Sequence, residues 1–580
     1  MCIDYRLPAR HRLPGLKHLA LALAIGSALA AGPAGAQTAD GESGPVTEQL
    51  IRALVANKAL TRSQAENLIK TLRQQQQQAP AAPSAPAATA SASPDAGAGA
   101  ASAPGNNAGD VRVIYVPEKQ KQQMREEIKK DVLAQAEKEN WAQPSALPEW
   151  TKRFHFFGDF RLRGQADLFD ESNAAGFIDY EAINEGDPVD ITLGPASGEF
   201  PYINTTEDRY RPRLRARFGF TADITDRLDA TFRLATGDGD DPVSANVTLN
   251  NDFNKFPINL DQAFFNWEPT EQWQIMAGRT PNPWVHTRMV WDDDLMFDGV
   301  SVNYHESDHE GLFATAGAYA IDQTNFDFPS NLGDKEDERF SYLLGAQVGN
   351  RFEFTDNDLL TAAVAYYHYD NVQGQSSTCI TTVPLPCPTD DTRATERQFG
   401  NTLYALRVPQ AGSNNAANFQ YFGRASKFHE VNVTAAYDHL LFGGEKHVGF
   451  TLDYVRNVAF DESEINELGF VNNFGANDIG FDGGANGYNA RATFGDILVT
   501  ERGNWSLTSG YKYIESDAVY DAFNESNFHL GGTNAKGYYL LGQLGLAHNT
   551  WAVLNYMSTS EVAGRPFAVD TVQLDLNARF

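Results

Sequence analysis

Residues 209–224 read RYRPRLRARFGFTADI. Every second side chain is apolar, from Tyr210 and Pro212 through Leu214, Ala216, Phe218, Phe220 and Ala222 to Ile224. The positions between them begin with Arg209, Arg211, Arg213, Arg215 and Arg217. A β-strand turns alternate side chains to opposite faces, so this stretch has one oily face and one cationic face. Same-face neighbours on a strand lie about 7 Å apart. In water, two like charges at that separation repel by only about 0.6 kcal/mol. In a dry core the row is prohibitive, and toward lipid each arginine near the bilayer midplane costs about 2–4 kcal/mol. The cationic face therefore needs water and the opposite face needs hydrocarbon. A transmembrane β-barrel with a wet lumen meets both demands. The competing reading is an edge strand of a soluble sandwich with a basic face.

Outward from this strand the same period of two recurs. In 154–168 the even positions, Phe154, Phe156, Gly158, Phe160, Leu162, Gly164, Ala166 and Leu168, are apolar or glycine. His155, Asp159, Arg161, Arg163, Gln165 and Asp167 face the other way. Sixteen strand candidates follow the pattern: 154–168, 209–224, 227–237, 259–268, 272–280, 297–305, 311–321, 340–353, 358–370, 428–438, 446–459, 486–498, 503–515, 536–547, 549–559 and 569–580. The alternation is imperfect in 311–321 and 358–370. Connections alternate between long (169–208, 238–258, 281–296, 322–339, 371–427, 460–485, 516–535 and a shorter 560–568) and tight (near 225–226, 269–271, 306–310, 354–357, 439–445, 499–502 and 548). Long loops on one side and short turns on the other are the asymmetry of an outer-membrane barrel. A soluble sandwich has no reason to keep that parity. The expected fold is all-β: an antiparallel transmembrane β-barrel of about 16 strands, within 14–18. An N-terminal helical or coiled-coil periplasmic extension precedes it.

Residues 1–36 read as a signal peptide, with Arg6, Arg10, Arg12 and Lys17 before the apolar Leu19–Ala31 and an Ala34-Gly35-Ala36 cleavage site. Cys2 precedes the apolar run and leaves with it. Residues 37–78 form a helical segment and 79–110 an Ala/Pro/Ser-rich linker. Residues 111–150 hold a short extended piece and a charged helix, and 151–580 the barrel. Cys379 and Cys387 suit a disulfide stapling a loop in an oxidising compartment, two free thiols being the other reading. The formal net charge of −29 argues against a nucleic-acid partner. It also makes the arginine row a local exception.

Four motifs and the C-terminal strand narrow the reading further. Together, Tyr115-Val116-Pro117-Glu118, Gly158-Asp159-Phe160-Arg161-Leu162-Arg163, Arg213-Leu214-Arg215-Ala216-Arg217 and Ala277-Gly278-Arg279 leading to Trp291-Asp292-Asp293-Asp294 resemble the putative porins of Gram-negative outer membranes. The last strand, with Leu574, Leu576 and the terminal Phe580, is similar to the signature by which the barrel assembly machinery recognises its clients. The resemblance implies a channel in the cell outer membrane, in contact with lipid and lipopolysaccharide and passing small hydrophilic solutes. The N-terminal segment would lie in the periplasm. A more distant similarity to trimeric 16-stranded porins and to phosphate-selective porins implies a homotrimer whose third long loop folds into the lumen.

On this reading Arg161, Arg163, Arg211, Arg213, Arg215, Arg217 and Arg233 line the pore. If loop 281–296 folds inward, Asp292, Asp293 and Asp294 are candidates to face them. An acidic loop opposite a basic wall makes a transverse field that orients dipolar solutes; solvated loop tips or a divalent-cation site are the plainer alternatives. His305-Glu306-Ser307-Asp308-His309 matches H-E-x-x-H, but that pattern works on a helix and here it falls on a turn. Asp238-Gly239-Asp240-Asp241 lacks a full calcium-loop pattern. No cofactor, metal or catalytic residue is expected. Passive diffusion is the leading function. A substrate-specific oxyanion or phosphate channel is the alternative, since Arg rows suit bidentate anion contacts. A barrel enzyme or envelope-anchoring structural protein is the reading from another class.

Overall fold

The computed structural model describes residues 149–193, 200–250, 252–307, 310–323, 338–378, 386–408, 418–475 and 479–580. The signal peptide, the N-terminal helical segments, the linker and Cys379 lie outside these residues. Sixteen long strands close into one antiparallel barrel. They are β1 (Phe154–Phe169), β2 (Arg209–Thr225), β3 (Leu228–Thr236), β4 (Ile258–Trp267), β5 (Trp273–Thr280), β6 (Phe297–His305), β7 (Gly311–Gln323) and β8 (Phe340–Thr355). Then come β9 (Asp358–Asp370), β10 (His429–Leu441), β11 (Lys446–Asn457), β12 (Asn486–Gly495), β13 (Trp505–Ile514), β14 (Ala535–Ala547), β15 (Thr550–Glu561) and β16 (Ala568–Arg579). Each expected strand is present, with ends shifted by a few residues. The largest shifts fall around the turn between β12 and β13, which is longer than expected.

Closure follows from register. Strand β1 pairs with β2 on one side, Arg163 opposite Arg213, and with β16 on the other, Arg163 opposite Asp575. At the seam Gly158 and Phe580 exchange two backbone hydrogen bonds of 3.0 Å. Gly158 has to be glycine, because a Cβ there would lie 2.7 Å from the Arg217 carbonyl oxygen as well as 2.5 Å from the Phe580 ring. The outward face is apolar and open: Phe156 is 64% exposed, Tyr210 70% and Leu574 60%. An aggregate-free water-soluble protein does not present so continuous an oily belt, whereas a bilayer covers it.

The two strands with imperfect alternation have a physical explanation. On β7 and β9 the inward side chains include Phe313, Tyr319, Ala363, Ala365, Tyr367 and Tyr369, all buried. The tyrosines need not face water, because loop 281–296 lies against them. Trp284 packs edge-on to Tyr367 and Tyr319, with ring centroids 5.3 and 6.3 Å apart. Trp291 packs edge-on to Tyr367 at 5.0 Å. The inward face thus loses its polar period where protein replaces solvent.

The first, fifth and sixth long loops pack together. Tyr180 and Ile183 of helix α1 (Tyr180–Glu185) share a cluster with Leu403, Phe422 and Ala394 of the fifth loop and Val471 of the sixth. Helix α2 (Glu462–Leu468) is capped by Asp461, whose carboxylate accepts from the Ser463 and Glu464 amides. Inside the fifth loop Arg407 and Asp390 form a fully buried ion pair.

Candidate functional site

The odd-numbered side chains of β1 and β2 point inward, as the period of two requires. The arginines there form a ladder, and nearly every rung has an acidic partner. Arg163 forks onto Asp575 through Nε and Nη2 at 2.7 and 2.8 Å. Arg209 and Arg211 both donate to Asp167, at 3.2 and 2.8 Å. Arg215 and Arg217 each bridge Asp159 and Asp294, with distances of 2.8–3.1 Å. Arg233 pairs with Asp261. Arg161 donates to Asn246 at 2.7 Å and stands 3.9 Å from Asp294. Arg213 alone has no carboxylate within ion-pair reach among the described residues; its one hydrogen bond goes to Ser244 at 3.5 Å. Charge-assisted, often two-pronged contacts of this kind fix side-chain direction as well as charge.

Loop 281–296 runs inside the barrel. Gln347 of β8 anchors it, donating to the Val285 carbonyl and accepting from the Val285 amide, both at 2.8 Å. The three aspartates of this loop part company. Asp294 meets the ladder. Asp293 turns to Arg288, whose Nε donates at 2.7 Å. Asp292 is buried and accepts from the amide and hydroxyl of Ser526 at 2.9 and 3.1 Å and from the Asp294 amide at 2.8 Å. Their acidities diverge accordingly. Burial, then Asp294 and Asp293, push Asp292 up to about 8. Burial acts in the same direction on Asp294, but Arg215, Arg217 and Arg161 outweigh it and hold that carboxyl well below the usual range.

A second inward loop has no counterpart among the expected site residues. Loop 515–534 is buried over most of its length, including Ala518, Val519, Tyr520, Ala522 and Phe528. Its tip spans the lumen with three successive residues. Glu525 receives Lys512 of β13. Ser526 binds Asp292 of the third loop. Asn527 accepts from Arg163 of β1 and from Gln573 of β16, both at 2.9 Å. Burial would raise Glu525, yet Lys512 and Arg288 lower it overall. The loop is held from outside by Asp521, fully buried, which takes Arg424 at 3.1 Å and stands 3.8 Å from Arg397. Arg424 also lies 4.0 Å from the Tyr520 ring centre. The signal in the sequence is an Asn/Asp-rich loop with aromatics and small residues but no cationic tip. That composition suits burial with many backbone partners better than solvation.

The remaining expected residues are placed as follows. Leu574, Leu576 and Phe580 face outward and are exposed. Cys387 is disulfide-bonded, and Cys379 lies outside the described residues. His305 ends β6 and Glu306 begins the turn after it; Asp308 and His309 lie outside the described residues. Among the described residues no group of three His, Cys, Asp or Glu side chains is placed to hold a metal ion.

A closed antiparallel barrel with an oily exterior, a charged interior and two infolded loops defines a transmembrane β-barrel of the channel type. A family model described as "putative porin" matches residues 45–580. The chain belongs to that family. No curated protein matches the chain. Among solved structures it is similar to OprB of Pseudomonas putida, at 10% identity over 74% of this chain and 95% of that one, with a TM-score of 0.41. It is also similar to the outer membrane channel DcaP of Acinetobacter baumannii, at 10% identity over 74% and 97%, with a TM-score of 0.36. A third likeness is to the trimer form of OmpT of Vibrio cholerae, at 9% identity over 74% and 99%, with a TM-score of 0.35.

Proposed function

We propose that the protein is a diffusion channel for small hydrophilic solutes and ions, with Arg161, Arg163, Arg211, Arg213, Arg215, Arg217 and Arg233 on the lumen wall. The observation that carries this reading is the two-faced barrel: hydrocarbon-facing outside, ionisable inside. Asp294 of the third loop and Asn527 at the tip of the seventh both reach the ladder, so the two loops narrow the lumen beside it. Facing charges there would orient dipolar solutes in transit. The channel works as a homotrimer in contact with lipopolysaccharide, is inserted by the barrel assembly machinery through its C-terminal strand, and keeps residues 37–150 in the periplasm after loss of the 1–36 signal. Planar-bilayer recording of the purified protein tests the central claim. Ohmic steps are expected, and purified, folded protein that gives none defeats it. Deletion of residues 37–150 is expected to leave the conductance in place.

A further inference from the structure

Across the lumen from the ladder, strands β11–β15 and the two inward loops border a cavity of about 80 Å³ that opens into the lumen. Five charged side chains border it: Arg288, Arg491, Asp496, Lys512 and Glu525. Four of them are already matched. Lys512 pairs with Glu525. Arg288 holds Asp293 and stands 3.8 Å from Glu525. Asp496 takes Lys446 at 2.6 Å and the Trp505 amide at 2.7 Å. The side chain of Arg491, on the inward face of β12 between Asn489 and Thr493, makes no hydrogen bond or ion pair with any described residue.

A guanidinium that borders a cavity without a partner is a preformed half of a fork–fork contact. We propose that this cavity is a binding site for a small organic carboxylate, with Arg491 receiving the carboxylate. The ligand class follows from the neighbours. Cations have no unclaimed acceptor here, because Glu525 and Asp496 are neutralised. A dianionic phosphate would call on a second cation, and Lys512 and Arg288 are engaged. Phe528, Leu541 and Met557 supply an apolar wall for the body of the ligand. Asn489, whose side-chain oxygen accepts from Tyr539 at 3.0 Å, keeps its amide N–H groups for the second edge of the carboxylate. The inference deepens the channel reading and rests on it: the cavity is a stopping point for solute in transit.

The test uses sodium benzoate, with uncharged benzamide as its isosteric control, added to the full-length protein in a planar bilayer carrying KCl current. Benzoate is expected to reduce the current saturably with a half-effect in the millimolar range, and benzamide is expected to do nothing. Arg491→Gln should raise the half-blocking concentration about tenfold or more, the loss of one charged hydrogen-bonding group. Arg491→Lys should retain most of the block. A wild-type channel that conducts KCl but ignores benzoate overturns the site and leaves the channel intact. So does an R491Q channel blocked as readily as wild type. If no variant conducts KCl, the channel reading falls, and calorimetric titration of benzoate into the detergent-solubilised protein decides the site. Heat in wild type that is lost in R491Q upholds the site; no heat in wild type overturns it. Because the Arg491 side chain makes no hydrogen bond or ion pair with any described residue, R491Q is expected to fold, which the mobility difference between boiled and unboiled samples on a gel verifies.

Discussion

On the β1–β3 wall Arg163, Arg209, Arg211, Arg215, Arg217 and Arg233 each rest against an aspartate. On the β11–β15 wall Arg491 rests against none, although carboxylates border the same cavity. The first wall is richer in cations but its charge is mostly spent inside the protein. Of the cations at the second, Lys512 and Arg288 are matched and Arg491 is available. Counting arginines therefore misjudges where an anion is attracted. What matters is the number of guanidinium edges left open after the protein's own carboxylates are served.

The sharpest way to break this comparison is at the seam. Asp575→Ala strands Arg163, only 6% exposed, and is expected to cost about 3–5 kcal/mol. The readout is a lower denaturant midpoint for loss of the heat-modifiable folded form. If D575A is as stable as wild type, the ladder pairs are not structural. Next in size is Asp294→Ala, which frees edges of Arg215 and Arg217 at once. The reversal potential in a KCl gradient should move toward chloride by about twofold or more in permeability ratio. Arg215→Ala should move it the other way, leaving Asp159 and Asp294 in excess, whereas Arg213→Ala removes a cation with no carboxylate partner and should reduce anion preference without that excess.

A smaller effect is expected from pH on the contact between the third and seventh loops. Asp292 has a folded-state value of about 8, above the unfolded carboxylate near about 3.9. A raised value contributes fully below the unfolded pKa and is lost as pH rises through the folded one. Asp294, held low by arginines, contributes above the unfolded value and is lost as pH falls below it. The contact should therefore be firmest at mildly acid pH and loosen toward pH 9 or so, an effect Asp292→Asn removes. Thermal midpoints across pH measure it. The smallest effect belongs to Lys427→Ala, which breaks the exposed pair with Glu464; a change of no more than about 0.5 kcal/mol is expected.

The barrel was legible because lipid imposes one rule on every outward position. Phe156, Phe218, Leu344, Phe450 and Leu574 obey it wherever they fall, and strand count and loop parity follow from it. The inner wall obeys no single rule. Asp159, Asp167 and Asp575 share the ladder's face by simple parity, so their pairing was within reach once strands β1, β2 and β16 were known to be neighbours. That adjacency is a property of closure, not of any local pattern. The infolding of loop 515–534 was hidden for a different reason: its partners, Asp292, Arg163 and Lys512, come from three separate parts of the chain. The same burial disguised β7 and β9, whose inward tyrosines break the alternation because the third loop dries them.

The Arg163–Asp575 fork joins residues separated by 412 positions. A contact with that span forms late, since almost the whole chain has to be arranged before its ends meet. Until then β1 and β16 present bare edges, able to pair with a neighbouring chain. The Asn527 bond to Arg163 is equally remote. The seventh loop is thus trapped inside as the cylinder shuts, and refolding should show a slow final phase that D575A lengthens. Mutations far from the seam, such as K427A, should leave that phase unchanged.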